Sequence, residues 1–270
     1  MNYSLRTYRP KTAVRIKSTY QATSEFYTWF AMKKFIEGAG KLGITLDSSQ
    51  VKQFELYYQE LIEWNKKINL TAITDYSSVQ VKHFLDSLTV TLALPGKEVE
   101  RSDFNIIDIG TGAGFPGLPL KILFPQPRLV LVEPTAKKTT FLRHIIKKLE
   151  LENVEVVNCR AEEAAHLPLY REQFSLVLSR AVALLPTLVE LTLPFCRMGG
   201  KFVAQKKGEL DQEIDRAEKA IATLGGKLDQ IKKIELNEFY DVRYLVIIDK
   251  IYPTPDKYPR RPGMPRRRPI

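Results

Sequence analysis

The stretch Asn105-Ile-Ile-Asp-Ile-Gly-Thr-Gly-Ala-Gly-Phe-Pro-Gly117 decides the fold. An isoleucine-rich run suited to a buried strand enters a turn with glycines at 110, 112, 114 and 117, and that turn opens a helix. Glycine permits positive φ and lets backbone approach a ligand with no Cβ between them. Gly112-x-Gly114-x-x-Gly117 has the spacing of a dinucleotide fingerprint. The next β-rich run ends in Leu131-Val-Glu133, which places a carboxylate at a second strand tip, where it can accept hydrogen bonds from ribose hydroxyls. NAD and S-adenosylmethionine (AdoMet) both satisfy that geometry.

Outward from this turn, β-rich runs at Asn105–Ile109, Arg128–Val132, Val154–Asn158, Phe174–Leu178 and Lys201–Ala204 alternate with helical stretches. The helical stretches are Leu118–Leu123, Ala136–Leu149, Leu185–Phe195 and Glu209–Leu224. Such alternation implies right-handed crossovers and a parallel sheet covered on both faces. Leu228–Leu236 and Arg243–Lys250 have no helix between them and read as a closing antiparallel pair at the sheet edge. Upstream, Glu25 to Leu94 is helical in pattern. Asp47-Ser-Ser-Gln50 reads as a capping box, with Val51, Phe54, Tyr57, Tyr58, Leu61 and Ile62 on one face. A further helix is expected over Val79–Leu92. The fold class is therefore α/β, Rossmann-like, a mainly parallel sheet closed by an antiparallel strand, with an N-terminal helical extension. The expected division is a basic, disordered arm at 1–24, a helical cap at 25–100, the α/β domain at 101–251, and a basic Pro/Arg-rich arm at 252–270.

Charge follows that division. The chain carries 41 Lys+Arg against 31 Asp+Glu, a net +10. Arg6, Arg9, Lys11, Arg15 and Lys17 stand without an acid in 1–24, and Lys257, Arg260, Arg261, Arg266, Arg267 and Arg268 face only Asp256 in 252–270. The body between is neutral, so the excess sits in two flanking arms. Such arms suit a polyanion, because each cation placed on a phosphate releases counterions. Six prolines from 253 to 269 forbid a helix in the second arm and favour an extended one. No apolar run is long enough to span a membrane, and no secretory signal is visible. The acid-free first arm leaves an organellar transit peptide open beside a plain basic extension. Two cysteines, Cys159 and Cys196, make neither a disulfide framework nor a zinc site, so a cytoplasmic setting is expected and no metal is implied.

Three features favour AdoMet over NAD. Asp108 opens an Asp-x-Gly-x-Gly-x-Gly turn, where an early acid can face a cationic methionine end. No second substrate domain follows the sheet. The third strand leads into Cys159-Arg160-Ala161-Glu162, placed for an adenine-side contact.

At these residues the chain resembles the RsmG (GidB) family of bacterial methyltransferases acting on guanine N7 in 16S ribosomal RNA. The resemblance is carried by Trp64-Asn65, Asn69-Leu70-Thr71, His83-Phe-Leu-Asp-Ser-Leu88, the glycine turn, Lys137 with Phe141-Leu142, Arg160-Ala-Glu162, Ser179-Arg180-Ala181 and the Tyr258-Pro-Arg segment. It implies AdoMet as cofactor, with contacts from Gly110, Phe115, Glu133, Pro134, Thr135, Ala161, Glu162 and Arg180. Phe115 would wall the sulfonium, Glu133 would hold the ribose, and Ala161 and Glu162 would frame the adenine. It implies the small ribosomal subunit as partner, and no obligate protein partner.

Guanine N7 carries an in-plane lone pair and no proton at neutral pH, so its methylation needs no general base and no covalent cysteine. No Asn/Asp-Pro-Pro-Tyr/Phe segment is present to hold an exocyclic amine. No catalytic residue is assigned. Arg180, Asn69, His83 and Lys206 are substrate-side candidates, with a packed helix histidine the plainer reading of His83 and a lock on the helical cap that of Asn69. Lys137, Lys206, Lys207, Arg260 and Arg261 are candidates for an RNA phosphate rim. The competing readings are an NAD-dependent oxidoreductase and a nonenzymatic RNA-binding assembly factor.

Overall fold

The computed structural model describes residues 32–94, 98–99 and 101–270. The basic arm expected at 1–24, the start of the cap and part of the linker expected at 95–103 lie outside the described residues.

Seven strands form one sheet: β1 Asn105–Ile109, β2 Arg128–Val132, β3 Val154–Val157, β4 Phe174–Arg180, β5 Cys196–Lys207, β6 Gly226–Ile234 and β7 Arg243–Lys250. Their order is β3-β2-β1-β4-β5-β7-β6. β1 to β5 are parallel, whereas β7 runs antiparallel to both β5 and β6. The expected closing pair is thus present, with the later strand inserted inside the earlier one.

Strand alternation splits the core in two. Ile106, Leu129, Leu131, Leu176 and Val203 point to one face, and Ile107, Val130, Val177, Phe202 and Ala204 to the other. The first face packs against the cap, whose Phe35, Phe54, Tyr57 and Phe84 belong to the same cluster as Leu118 and Phe141. The cap is fastened by polar contacts too. Gln53 Nε2 donates to Leu149 O at 2.8 Å, and His144 meets Glu60 at 2.6 Å.

Local sequence explains the cap helices. The helix Ser48–Asn65 starts at the expected capping box: Gln50 N donates to Asp47 Oδ1 at 2.8 Å, and Asp47 N to Gln50 Oε1 at 3.1 Å. Its end is fixed by Asn65, whose Oδ1 accepts from Leu70 N and Thr71 N at 2.8 and 3.0 Å. Asn69, read as a substrate-side candidate or a lock on the helical cap, is exposed. The helix expected at Val79–Leu92 is a run from Tyr76 to Ala93 whose middle, Gln80–Leu85, is a π-helical turn. Inserting a residue in this way re-aims side chains, and such turns recur at functional sites.

The segment 252–270 departs from expectation. It folds back against the helices at Ala161–Ala164 and Leu185–Thr192, and Met264–Arg267 forms a helical turn. Pro265 occupies the first turn, where a missing N–H costs nothing, so the prolines exclude a long helix but not this short one.

Candidate functional site

Asp108 organises the glycine turn from beneath. Its Oδ2 accepts from Thr111 Oγ1 at 2.7 Å and from Gly117 N at 2.9 Å. The carboxyl is wholly buried, and burial pushes it up to about 6. Its other oxygen, Oδ1, has no hydrogen-bond partner. Two glycines carry the geometry above it. Gly114 has φ +101°, and a Cβ there would stand 2.5 Å from the Tyr57 hydroxyl. Gly112 has φ +62°, and a Cβ there would enter open space.

Glu133 stands opposite, almost fully buried, and loop amides hold both its oxygens. Gly112 N donates to Oε2 at 3.1 Å and Thr135 N to Oε1 at 3.0 Å. Its carboxylate is therefore oriented before any ligand arrives, with lone pairs left for hydroxyl donors.

A cavity of about 290 Å³ opens beside these groups, lined in part by Gly110, Glu133, Pro134, Ala161 and Glu162. Of the other residues expected there, Asp108 and Gly114 are buried in the turn, Gly112 and Thr135 hold Glu133 through their amides, and Arg180 lines a neighbouring cleft instead. Phe115, expected to wall the sulfonium, is not in this lining. It is buried with its ring between Tyr57 (5.2 Å, 10°) and His83 (4.6 Å, 14°), so it joins cap to turn rather than facing the cavity. Sequence reading missed the rest of the lining, which includes Val182, Thr187, Leu191, Gly263, Pro265 and Arg266.

A second cleft, about 590 Å³, adjoins the first and shares Val182 and Ala183 with it. His83, Asp86, Arg180, Gln205, Lys206, Lys207 and Arg243 line it. Asp86 is the pivot of this cleft. Arg180 donates to its Oδ2 at 2.9 Å and Arg243 to its Oδ1 at 3.2 Å. Arg180 also donates to Lys82 O at 3.2 Å and to His83 Nδ1 at 3.3 Å, and its guanidinium lies 5.1 Å from the Phe115 ring centre. Most of its donors are thereby engaged by protein. His83 is neutral: burial first, then Arg180, holds its imidazole down to about 3. With Nδ1 accepting from Arg180, Nε2 carries the proton toward Thr71 Oγ1 at 2.8 Å. Ala181, immediately after Arg180, has φ +57°, a strained conformation for a residue with a Cβ.

Alternation along β5 sends the two lysines to different surroundings. Lys206 turns inward to an ion pair with Glu213 and donates to Ala183 O at 3.1 Å, while Lys207 is exposed at the cleft rim. Lys137 and Arg261 are exposed as expected. Arg260 is not, because its guanidinium forks onto the buried Glu190. Among the described residues no group of three or more potential ligands could hold a metal, and no helix is long and apolar enough to cross a membrane.

A 3-2-1-4-5 parallel order with antiparallel β7 between β5 and β6, a glycine turn after β1 and an anchored acid after β2 define a class I methyltransferase. A family profile described as rRNA small subunit methyltransferase G (GidB) matches residues 50–240. The ribosomal RNA small subunit methyltransferase G of Dehalococcoides mccartyi is 51% identical over 239 residues, covering 88% of this chain and all of the relative. That of Pelotomaculum thermopropionicum is 48% identical over 234 residues, covering 87% of this chain and 96% of the relative. Among solved structures, a 16S rRNA (adenine(1408)-N(1))-methyltransferase shows a distant likeness, TM-score 0.46 at 14% identity over 60% of this chain and 94% of that one. The chain belongs to the rRNA small subunit methyltransferase G family, and nothing in these comparisons favours the oxidoreductase or the nonenzymatic reading.

Proposed function

We propose that this AdoMet-dependent rRNA methyltransferase transfers its methyl group to N7 of a guanine in 16S rRNA, in the small ribosomal subunit of the cytoplasm. The observation that carries the reading is the pair of cavities that meet at Val182 and Ala183. One is built for a nucleoside and the other, open to solvent and rimmed by Lys207, for a base delivered on a phosphate backbone.

The residues fit the cofactor. Open space lies above Gly112, Glu133 presents oriented acceptors to a ribose, and Asp108 Oδ1 leaves negative character under the turn. AdoMet, when bound, supplies an electrophilic methyl carbon on sulfur. The chain supplies alignment, since in-line displacement depends on placing nucleophile and methyl carbon in contact. Arg180 and Asp86 shape the floor of the cleft from fixed positions. His83 has both ring nitrogens engaged and takes no proton from the base, consistent with a nucleophile that has none to lose. Lys137, Lys207 and Arg261 are left to meet RNA phosphates.

Transfer of tritiated methyl from AdoMet to 16S rRNA, in wild type and Gly112→Asp, tests the proposal. Labelling at guanine N7 by wild type alone is expected. Equal labelling by both proteins excludes this pocket as its source.

A further inference from the structure

Residues 258–268 carry most of the charge that suggested an RNA arm, yet their backbone and several side chains are engaged by the protein. Glu190 is fully buried in the helix Leu185–Thr192, and it accepts from Arg260 N (2.8 Å), Nε (2.9 Å) and Nη2 (2.6 Å). The same Nη2 donates to Arg268 O at 2.7 Å, so one guanidinium closes the turn on itself. Gly263 N donates to Glu162 Oε1 at 3.0 Å, and Thr187 Oγ1 donates to Pro265 O at 3.2 Å. Between these ties, Gly263, Pro265 and Arg266 line the nucleoside cavity together with Gly110 and Glu133.

We infer that this segment is the adenine-side wall of the cofactor site, held in place by the Glu190–Arg260 clamp. The inference rests on the cofactor reading above. The side of the cavity follows from the strand order. The ribose acid follows β2, and Ala161 and Glu162 follow β3, so a nucleoside whose ribose lies on Glu133 extends its base toward Glu162. That is the end at which Gly263 is bonded. The wall there is Pro265, Leu191 and Ala161, apolar surface suited to a purine ring. Arg260 is a positioning residue, acting through the segment it holds and not by touching the ligand.

The test uses the full chain and two probes, AdoMet and 5′-methylthioadenosine, which keeps adenine and ribose and lacks the amino acid. In calorimetric titration Arg260→Ala is expected to weaken both by a similar factor, about tenfold or more, with Arg260→Lys recovering part of the loss. Independently, in wild type, S-adenosylhomocysteine is expected to slow amide exchange across 260–268. A folded Arg260→Ala that binds both probes as wild type does, or a liganded wild type whose 260–268 amides exchange unchanged, overturns the wall. Should Arg260→Ala not fold, the exchange measurement decides alone. Wild type that binds neither probe overturns the underlying cofactor assignment instead.

Discussion

The hydroxyl of Tyr57 donates to the carbonyl oxygen of Ala113 at 2.5 Å, fastening a cap helix to the glycine turn. The same ring stacks on Phe115, so the two elements are joined by a polar and an apolar contact at one point. Tyr57→Phe keeps the stack and strands a buried carbonyl. A loss of about 1–2 kcal/mol is expected, read as a lower urea midpoint at unchanged slope.

Glu133 accepts from two backbone amides that face it from Gly112 and Thr135. Glu133→Gln must turn an NH2 group toward one of them, and it removes an ionised acceptor for the ribose. AdoMet affinity should fall by about ten- to a hundredfold, measured by titration, with a smaller change in stability.

Asp86 is the shared partner of two arginines in a buried setting. Asp86→Asn preserves its shape and leaves Arg180 without a counter-charge, while Arg243 keeps its ion pair with Asp241. Breaking a buried pair in this way costs about 3–5 kcal/mol, and the denaturation midpoint should drop accordingly. Methyl transfer should be lost at temperatures where the fold survives.

His83 gives a pH signature with a definite sign. Its folded imidazole titrates near 3 against an ordinary 6.5, so the unfolded chain binds the extra proton between those values. Stability from this group is complete above 6.5 and declines as pH falls through that window. Asp108, raised to about 6 from 3.8, acts oppositely: the folded form binds the extra proton, which favours folding as pH falls from 6 to 4. The larger displacement belongs to His83. Urea midpoints should therefore fall between pH 7 and 5 in wild type and fall less in His83→Gln, whose amide can serve both Thr71 and Arg180. No limb near pH 6.5 from this residue is expected in the rate profile.

Neither cysteine should matter to the reaction. Burial pushes the Cys196 thiol up to about 12 and raises that of Cys159 as well. The variants Cys196→Ala and Cys159→Ala should label rRNA at wild-type rates, within the stability change from repacking.

Much of the sheet was legible because its signals are local. Asn105–Ile109, Arg128–Val132 and Arg243–Lys250 are found at the bounds expected, since apolar runs flanked by breakers need no tertiary context. The Asp47–Gln50 capping box is equally local. What resisted reading depends on distant partners. The π-helical turn arises where His83 and Asp86 must both reach Arg180, a residue far along the chain. That Phe115 is stacked between Tyr57 and His83 is likewise invisible in the sequence, because both partners lie far from it along the chain. Arg260 belonged to a basic cluster by composition, and its fate was set by one buried acid, Glu190, hidden in an otherwise apolar helix.

The placement of β7 between β5 and β6 bears on how the molecule is made. β6 precedes β7 in the chain and pairs with no other strand, so until β7 is made its own backbone edges are bare. Lys227, Asp229, Lys232 and Lys233 keep that edge hydrophilic in the interval, a safeguard against pairing with another nascent chain. The late strand then knits to two neighbours at once, so a chain interrupted before Arg243 forfeits both ladders and leaves β5 uncovered as well.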